Sequence, residues 1–197
     1  MNFEQIAELP SVTDITRVLK TNYDDPFFQT GYGKAIMRNA QRIGNAGHKM
    51  AELKANDELD DSQFDDDTRE RFESLRKWMD ENIVTVIAAE TVVWSKLGYR
   101  GTPDLIAILK GDSFPTLTDY KFSDTVEEWY VRFQTAAYVR AAIEQGILAK
   151  PCRRLSVKII KGRKKPKVDE FSISSYLTDL TGFQYCLYLK KITGEKQ

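Results

Sequence analysis

The chain reads as an α/β protein with a helical N-terminal region and a central mixed β-sheet flanked by helices. Two observations predict this. Apolar residues recur at helical spacing through residue 82, and short β-branched runs then take over, interrupted by one further helical stretch. With 197 residues and 42% hydrophobic content, the chain is long enough for one α/β core, so residues 1–197 are expected to form a single domain with 1–82 helical and 83–197 carrying the sheet.

The first helix is expected from Ser11 to Lys20, with Ser11 as its cap and Val12, Ile15, Val18 and Leu19 as an apolar stripe. Residues 33–55 follow, carrying Ala35, Ile36, Ala40, Ile43, Gly47, Met50, Ala51 and Leu53, and then residues 66–82, carrying Phe72, Leu75, Trp78 and Met79. Between them the acidic run from Asp57 to Asp61 and then Asp65 to Asp67 reads as a solvated loop that caps the next helix near Asp66 or Asp67. It lacks the spaced ligands and glycine of a calcium loop. Tyr23, Phe27, Phe28 and Tyr32 suit either a core or a platform on which bases of a single strand stack.

Ile83 to Leu97 reads as the first strand, turning at Gly98 to Gly101. Leu105 to Leu109 and Phe114 to Phe122 form a hairpin about a turn at Lys110 to Ser113, centred on Gly111-Asp112. Thr125 to Gly146 is helical, with Gly146 as its stop, Leu155 to Ile160 is a further strand, and Ser174 to Ile192 a closing helix.

Charge and composition narrow the function. The 29 basic and 29 acidic residues balance, but Lys150, Arg153, Arg154, Lys158, Lys161, Arg163, Lys164, Lys165 and Lys167 follow one another with no acid among them. Such a stretch binds phosphates, or it protects an exposed sheet edge from pairing with other chains. There is no glycine-rich phosphate loop, which disfavours nucleotide hydrolysis. Only Cys152 and Cys186 are present, no apolar run approaches the roughly 20 residues that span a bilayer, and the N-terminus has no basic region before an apolar core. A soluble protein of the cytoplasm, or of a host cytoplasm if viral, is expected.

The hairpin carries the chemistry. Gly101-Thr102-Pro103-Asp104 opens one strand and Asp119-Tyr120-Lys121 ends the other, so Asp104 and Asp119 face each other, and Asp119 and Lys121 share a face. Two carboxylates suit Mg²⁺ or Mn²⁺, with the Tyr120 carbonyl as a further oxygen ligand. Lysine beside a metal offsets the negative charge that develops on a phosphorane. Upstream stands the only histidine, His48, and downstream Gln134 and Tyr138 lie four apart on one helical face.

This ordered set, Gly44 with His48, Asp104, Asp119 with Lys121, and Gln134 with Tyr138, resembles the RecB-like branch of the PD-(D/E)XK nuclease superfamily, which includes phage exonucleases and the mitochondrial genome maintenance exonuclease. Leu9-Pro10-Ser11-Val12-Thr13 and Glu90 extend the likeness over nearly the whole chain. The resemblance implies a restriction-endonuclease-like core. It implies that His48, Asp104 and Asp119 are metal ligands, Lys121 the catalytic lysine, Gln134 a residue near the scissile phosphate, and Glu90 a further member of the catalytic set. Many relatives hold an iron-sulfur cluster on four cysteines, and with two none is expected here. The expected activity is that of a Mg²⁺- or Mn²⁺-dependent DNase, an exonuclease of recombination, repair or replication acting on single-stranded DNA or duplex ends. Expected contacts to DNA are Tyr138, Arg154, Lys158, Lys161, Arg163, Lys164 and Lys165, and a recombinase, helicase or single-strand-binding protein is an expected partner. The alternatives are a nucleic-acid-binding scaffold of the same fold that cuts nothing, and a sequence-specific endonuclease.

Overall fold

A computed structural model describes residues 2–19, 26–60, 66–123 and 127–194. The N-terminal helices come first: α1 (Phe3–Ala7), α2 (Val12–Thr16), α3 (Pro26–Gln29), α4 (Gly31–Ala55) and α5 (Asp66–Asn82). Ser11 caps α2 as its sequence position suggests, its side chain accepting from the Asp14 N–H at 3.0 Å. That helix is shorter than expected and passes into a 3₁₀ turn over Arg17–Leu19. The expected end of the helix at Lys20, the aromatic Tyr23 and the acids Asp61 and Asp65 lie outside the described residues. Phe27 and Tyr32 are 44% and 71% exposed and stack edge-on against each other, so they do not serve the core.

The β-region contains β1 (Ile83–Ala89), β2 (Val93–Ser95), β3 (Tyr99–Gly101), β4 (Leu105–Leu109) and β5 (Pro115–Lys121), then α6 (Glu128–Glu144), β6 (Arg153–Lys158), β7 (Lys167–Phe171) and α7 (Tyr176–Gly194). Five strands form one mixed sheet in the order β1-β4-β5-β6-β7. Every pair is antiparallel except β5 with β6, which α6 connects as the crossover a parallel pair requires. The chain is therefore α/β, with a helical N-terminal region and helices on both faces of the sheet.

Two expectations need correction. The run Ile83 to Leu97 is not one strand. It breaks after Ala89, where Glu90 takes a left-handed backbone (φ 44°), and β2 leaves the sheet to pair with β3 in a small hairpin of its own. The acid-free basic stretch does not form the sheet edge by itself either. β6 is an interior strand, and an unforeseen strand, β7, occupies the edge.

Side chains alternate along β5, and the two cores follow from that alternation. Leu117 faces Ile106, α2, α6 and α7, where Val12, Ile15, Tyr99, Phe183 and Leu187 are buried. Ala136, Ala137, Ala141 and Ala142 on α6 let that helix approach the sheet closely, and Gly182 of α7 admits the Phe133 ring, which an added Cβ would meet at 2.3 Å. Tyr120 points to the opposite face, against Trp78 at 6.2 Å between ring centroids, with Leu75, Met79 and Ala51 of α5 and α4.

Alternation also explains two residues that the sequence suggests as phosphate contacts. Leu117 and Arg154 are register partners, so Arg154 enters the α6/α7 core, where it is fully buried. Its guanidinium donates to Asp179 Oδ2 at 2.6 Å, the Ser175 hydroxyl at 2.9 Å and the Arg132 carbonyl at 3.0 Å. Lys158, four residues on and on the same face, is 7% exposed and holds Asp169 at 2.7 Å. Both cations serve the interior and neither is offered to a nucleic acid.

Asp179→Ala leaves a buried guanidinium without its charge partner and should cost about 3–5 kcal/mol, whereas the double substitution Arg154→Met, Asp179→Leu should recover most of that loss. Urea denaturation of the three proteins measures both values. A cost of Asp179→Ala below about 1 kcal/mol would show that Arg154 can reach solvent.

Candidate metal centre

The site forms where β4 begins and β5 ends. Leu105 pairs with Thr118, and one further step along the same register puts Asp104 opposite Asp119. At that step the ladder is replaced by a side chain: the Tyr120 N–H donates to Asp104 Oδ2 at 2.5 Å. In an antiparallel ladder the N–H and carbonyl of one residue face the same neighbour, so the Tyr120 carbonyl is directed toward the Asp104 side of β5.

His48 arrives from α4. Gly47 allows this, since a Cβ there would stand 2.2 Å from the Phe122 ring, and the His48 ring packs edge-on against the same ring at 5.3 Å. With α4 pressed against the end of β5, His48 Nδ1 lies 3.1 Å from Asp104 Oδ1. At Gly44 an added Cβ would meet nothing within 4 Å, so no comparable close approach depends on it.

Glu90 completes the group. The left-handed turn that breaks the first strand is tied down by the Glu90 N–H, which donates to the Asp104 carbonyl at 3.2 Å, and it brings the Glu90 carboxylate to 3.8 Å from His48 Nδ1. One ligand atom from each of His48, Glu90 and Asp104 lies within 4.8 Å of the others. Among the described residues this is the one such cluster, and it contains Glu90 where the sequence suggested Asp119.

Asp119 stands beside the cluster and belongs to a second line of contacts. Lys121 Nζ is 2.8 Å from Asp119 Oδ2 and donates to Gln134 Oε1 at 3.0 Å. That carboxylate oxygen is buried, so the pair is shielded from water. Gln134 Nε2 donates to the Tyr138 hydroxyl at 2.8 Å and reaches Thr13 Oγ1 at 3.4 Å. Tyr138 is 4% exposed and acts as a prop for Gln134, and Gly101 gives its ring room, an added Cβ falling 2.3 Å from it. Thr13 is a member the sequence did not suggest. It stands in the Pro-Ser-Val-Thr stretch, but nothing in a linear sequence links it to Gln134.

Both lines open into one cleft of about 590 Å³, lined by His48, Glu90, Asp104, Asp119, Lys121 and Gln134, with Lys49, Glu52 and Arg100 at its borders. Lys161, Arg163, Lys164 and Lys165 are outside it, on the exposed turn between β6 and β7.

Burial and the neighbouring Asp104 push the Glu90 carboxyl up to about 7, and burial is the main reason Asp119 rises to about 6 despite Lys121. Burial opposes the charge on His48, but Asp104 outweighs it and the imidazole rises; burial also opposes ionisation of Asp104, which His48 reverses, so that carboxyl is lowered. Lys121 is raised by Asp119 and Asp104 against its own burial. Three carboxylates thus face one permanent cation and one histidine. The excess buried negative charge, with an imidazole nitrogen among carboxylate oxygens, fits a divalent cation, and the nitrogen donor favours Mn²⁺ over Mg²⁺.

The chain matches no model of a known protein family and no curated protein sequence. Among the described residues no helix is long and apolar enough to cross a membrane.

Glu90 and Asp119 bind protons more tightly in the folded than in the unfolded chain, so each loses stabilisation as the pH rises from its ordinary carboxylate range to about 7 and about 6. His48, also raised, loses its contribution as it deprotonates above its ordinary value. Asp104, being lowered, acts only in more acid solution. The thermal midpoint of the metal-free protein should therefore fall between about pH 5.5 and 8, and Mn²⁺ should raise it more at the upper end. Melting curves across that range, with and without Mn²⁺, check this; a midpoint indifferent to both variables would remove the case for a cation site.

Proposed function

We propose that the protein is a divalent-metal-dependent nuclease that hydrolyses phosphodiester bonds in DNA. One observation carries the reading: the imidazole–carboxylate cluster of His48, Glu90 and Asp104 shares a single open cleft with a lysine, Lys121, that is held as a cation by Asp119 and aimed by Gln134. That combination, a seat for a cation beside a fixed ammonium group, suits a reaction in which negative charge grows on phosphorus.

His48, Glu90 and Asp104 would hold the ion, with Asp119 and the Tyr120 carbonyl next to them. Once bound, a divalent ion supplies Lewis acidity that neutralises a phosphate oxygen and makes a nearby water more acidic. The chain's own residues do the rest. Asp104 is fixed by the Tyr120 N–H and by His48, so its carboxylate needs no reorganisation when substrate arrives. Gln134 keeps its carbonyl toward Lys121 because its amide is engaged by Tyr138 and Thr13. The Lys121 ammonium is thereby presented to the reacting phosphate, where it donates to the oxygens that gain charge as water adds to phosphorus and the bond to the leaving oxygen breaks.

A carboxamide in place of a carboxylate should separate ion binding from charge stabilisation. Asp104→Asn should abolish the calorimetric signal of Mn²⁺ binding together with activity. Lys121→Met should retain Mn²⁺ binding and the fold while kcat on DNA falls by about 10²–10³ or more. Gln134→Ala should lower kcat about tenfold with ion affinity unchanged, since it aims the lysine and does not touch the ion. Purified protein that binds Mn²⁺ but cuts neither single-stranded nor duplex DNA, linear or circular, would instead identify a binding scaffold.

A further inference from the structure

Within the basic stretch that follows α6, two groups of different character stand out. Arg153, Arg154, Lys158 and Lys167 are engaged by carboxylates: Arg153 by Asp112 and Glu170, Arg154 by Asp179, and both Lys158 and Lys167 by Asp169. Arg163, Lys164 and Lys165 are different. They are exposed on the turn between β6 and β7, and among the described residues no carboxylate engages them.

Protection of the sheet edge does not account for these three, because they stand on the turn and not on the edge strand β7, whose own lysine, Lys167, is already paired. The turn is also shaped to project them. Gly162 takes a positive φ of 79°, and the Arg163 N–H closes onto the Ile160 carbonyl at 3.1 Å. Its position in the fold is specific. Lys121 and Lys158 are register partners on adjacent parallel strands, and the Ile159 N–H donates to the Lys121 carbonyl at 2.8 Å, so the turn leaves the sheet from the end at which Lys121 sits.

From these observations we infer that the β6–β7 turn is a backbone clamp, in which Arg163, Lys164 and Lys165 grip phosphates of a nucleic-acid strand several nucleotides from the cleft. The position of the cleaved bond rests on the nuclease reading; binding by the turn does not. A cation-bearing element outside the cleft adds attraction that the cleft lacks, because Glu52, Glu90, Asp104 and Asp119 offset Lys49, Arg100 and Lys121 within it before any ion is bound. The loop between the paired Lys158 and Lys167 can extend at most about four residues, roughly 13 Å at about 3.3 Å per residue. Long side chains add several ångströms more. A strand that engages Lys121 and the turn together must span that distance. A dinucleotide held at Lys121 is too short to do so.

The test uses the full chain with Lys121→Met to suppress cleavage, and compares it with the same protein carrying Arg163→Ala, Lys164→Ala and Lys165→Ala. A charge-keeping control carries Lys164→Arg and Lys165→Arg. Fluorescence anisotropy of a labelled oligothymidylate of about 20 nucleotides and of a labelled dinucleotide is followed over a range of salt. For the longer probe, the alanine variant should lose about 2 from the slope of log K against log salt, at about 0.7 per phosphate contact, and bind at least about tenfold more weakly at low salt. The shorter probe should bind all three proteins alike, the arginine control should match its parent, and thermal melts should coincide. An unchanged slope for the longer probe overturns the inference, as does failure of the parent to bind it. Loss of binding to phosphatidylserine vesicles with the oligonucleotide slope intact overturns it too, and assigns the turn to a membrane surface. Wild-type protein that cuts no DNA in Mn²⁺ refutes the nuclease reading alone, since the slope is measured without cleavage.

Discussion

Asp104 is the point on which the site turns. Its Oδ2 takes the N–H of Tyr120 where the β4–β5 ladder gives out, its Oδ1 meets the imidazole of His48, its carbonyl anchors the N–H of Glu90, and its strand position puts it opposite Asp119. Three other segments, α4, the turn at Glu90 and the end of β5, are therefore held to one residue. Burial is the main reason that Glu90 and Asp119 both rise, and the Asp104 carboxylate, kept ionised by His48, adds to the rise of each. The site is a concentration of like charge, a donor set that fits a divalent ion.

Such a cluster persists only if the scaffold resists its relaxation. β5 is packed on both faces, by the α6/α7 core around Leu117 and by the α4/α5 core around Tyr120, so Asp119 and Lys121 cannot rotate outward without disturbing buried side chains. The left-handed backbone of Glu90 is a second instance of the same economy. A glutamate is unfavourable there, and the turn that holds it delivers its carboxylate to His48.

What could be read from the sequence was whatever obeys a short period. Alternation along Asp119-Tyr120-Lys121 and the hairpin turn at Gly111 suffice to face Asp104 toward Asp119 and to put Lys121 beside it, because strand register is a local property. The Gln134 and Tyr138 pair follows from helical spacing in the same way. The strand break at Glu90 was hidden, since seven β-branched or apolar residues continue smoothly into Thr91-Val92-Val93 and only tertiary contacts decide where the chain leaves the sheet. β7 was hidden because Lys167-Val168-Asp169-Glu170-Phe171 is an edge strand, and its residues are mostly exposed. Thr13 reaches Gln134 across 121 positions, a contact that no pattern in one sequence announces.

The basic stretch shows the limit of reading charge by count. Nine cations without an acid among them suggest one surface, yet the period-two geometry of β6 directs Arg154 and Lys158 to the interior, where acids from α7 and β7 await them. Burial of a cation is tolerable only when a carboxylate comes with it. The charged residues Arg154 and Lys158 inside β6 therefore report on acids across the fold and not on solvent. The same charges on a turn have no such geometry to recruit partners, and so the position of a cation relative to strand ends, more than the density of cations, distinguishes a fold-building ion pair from a surface that a polyanion can use.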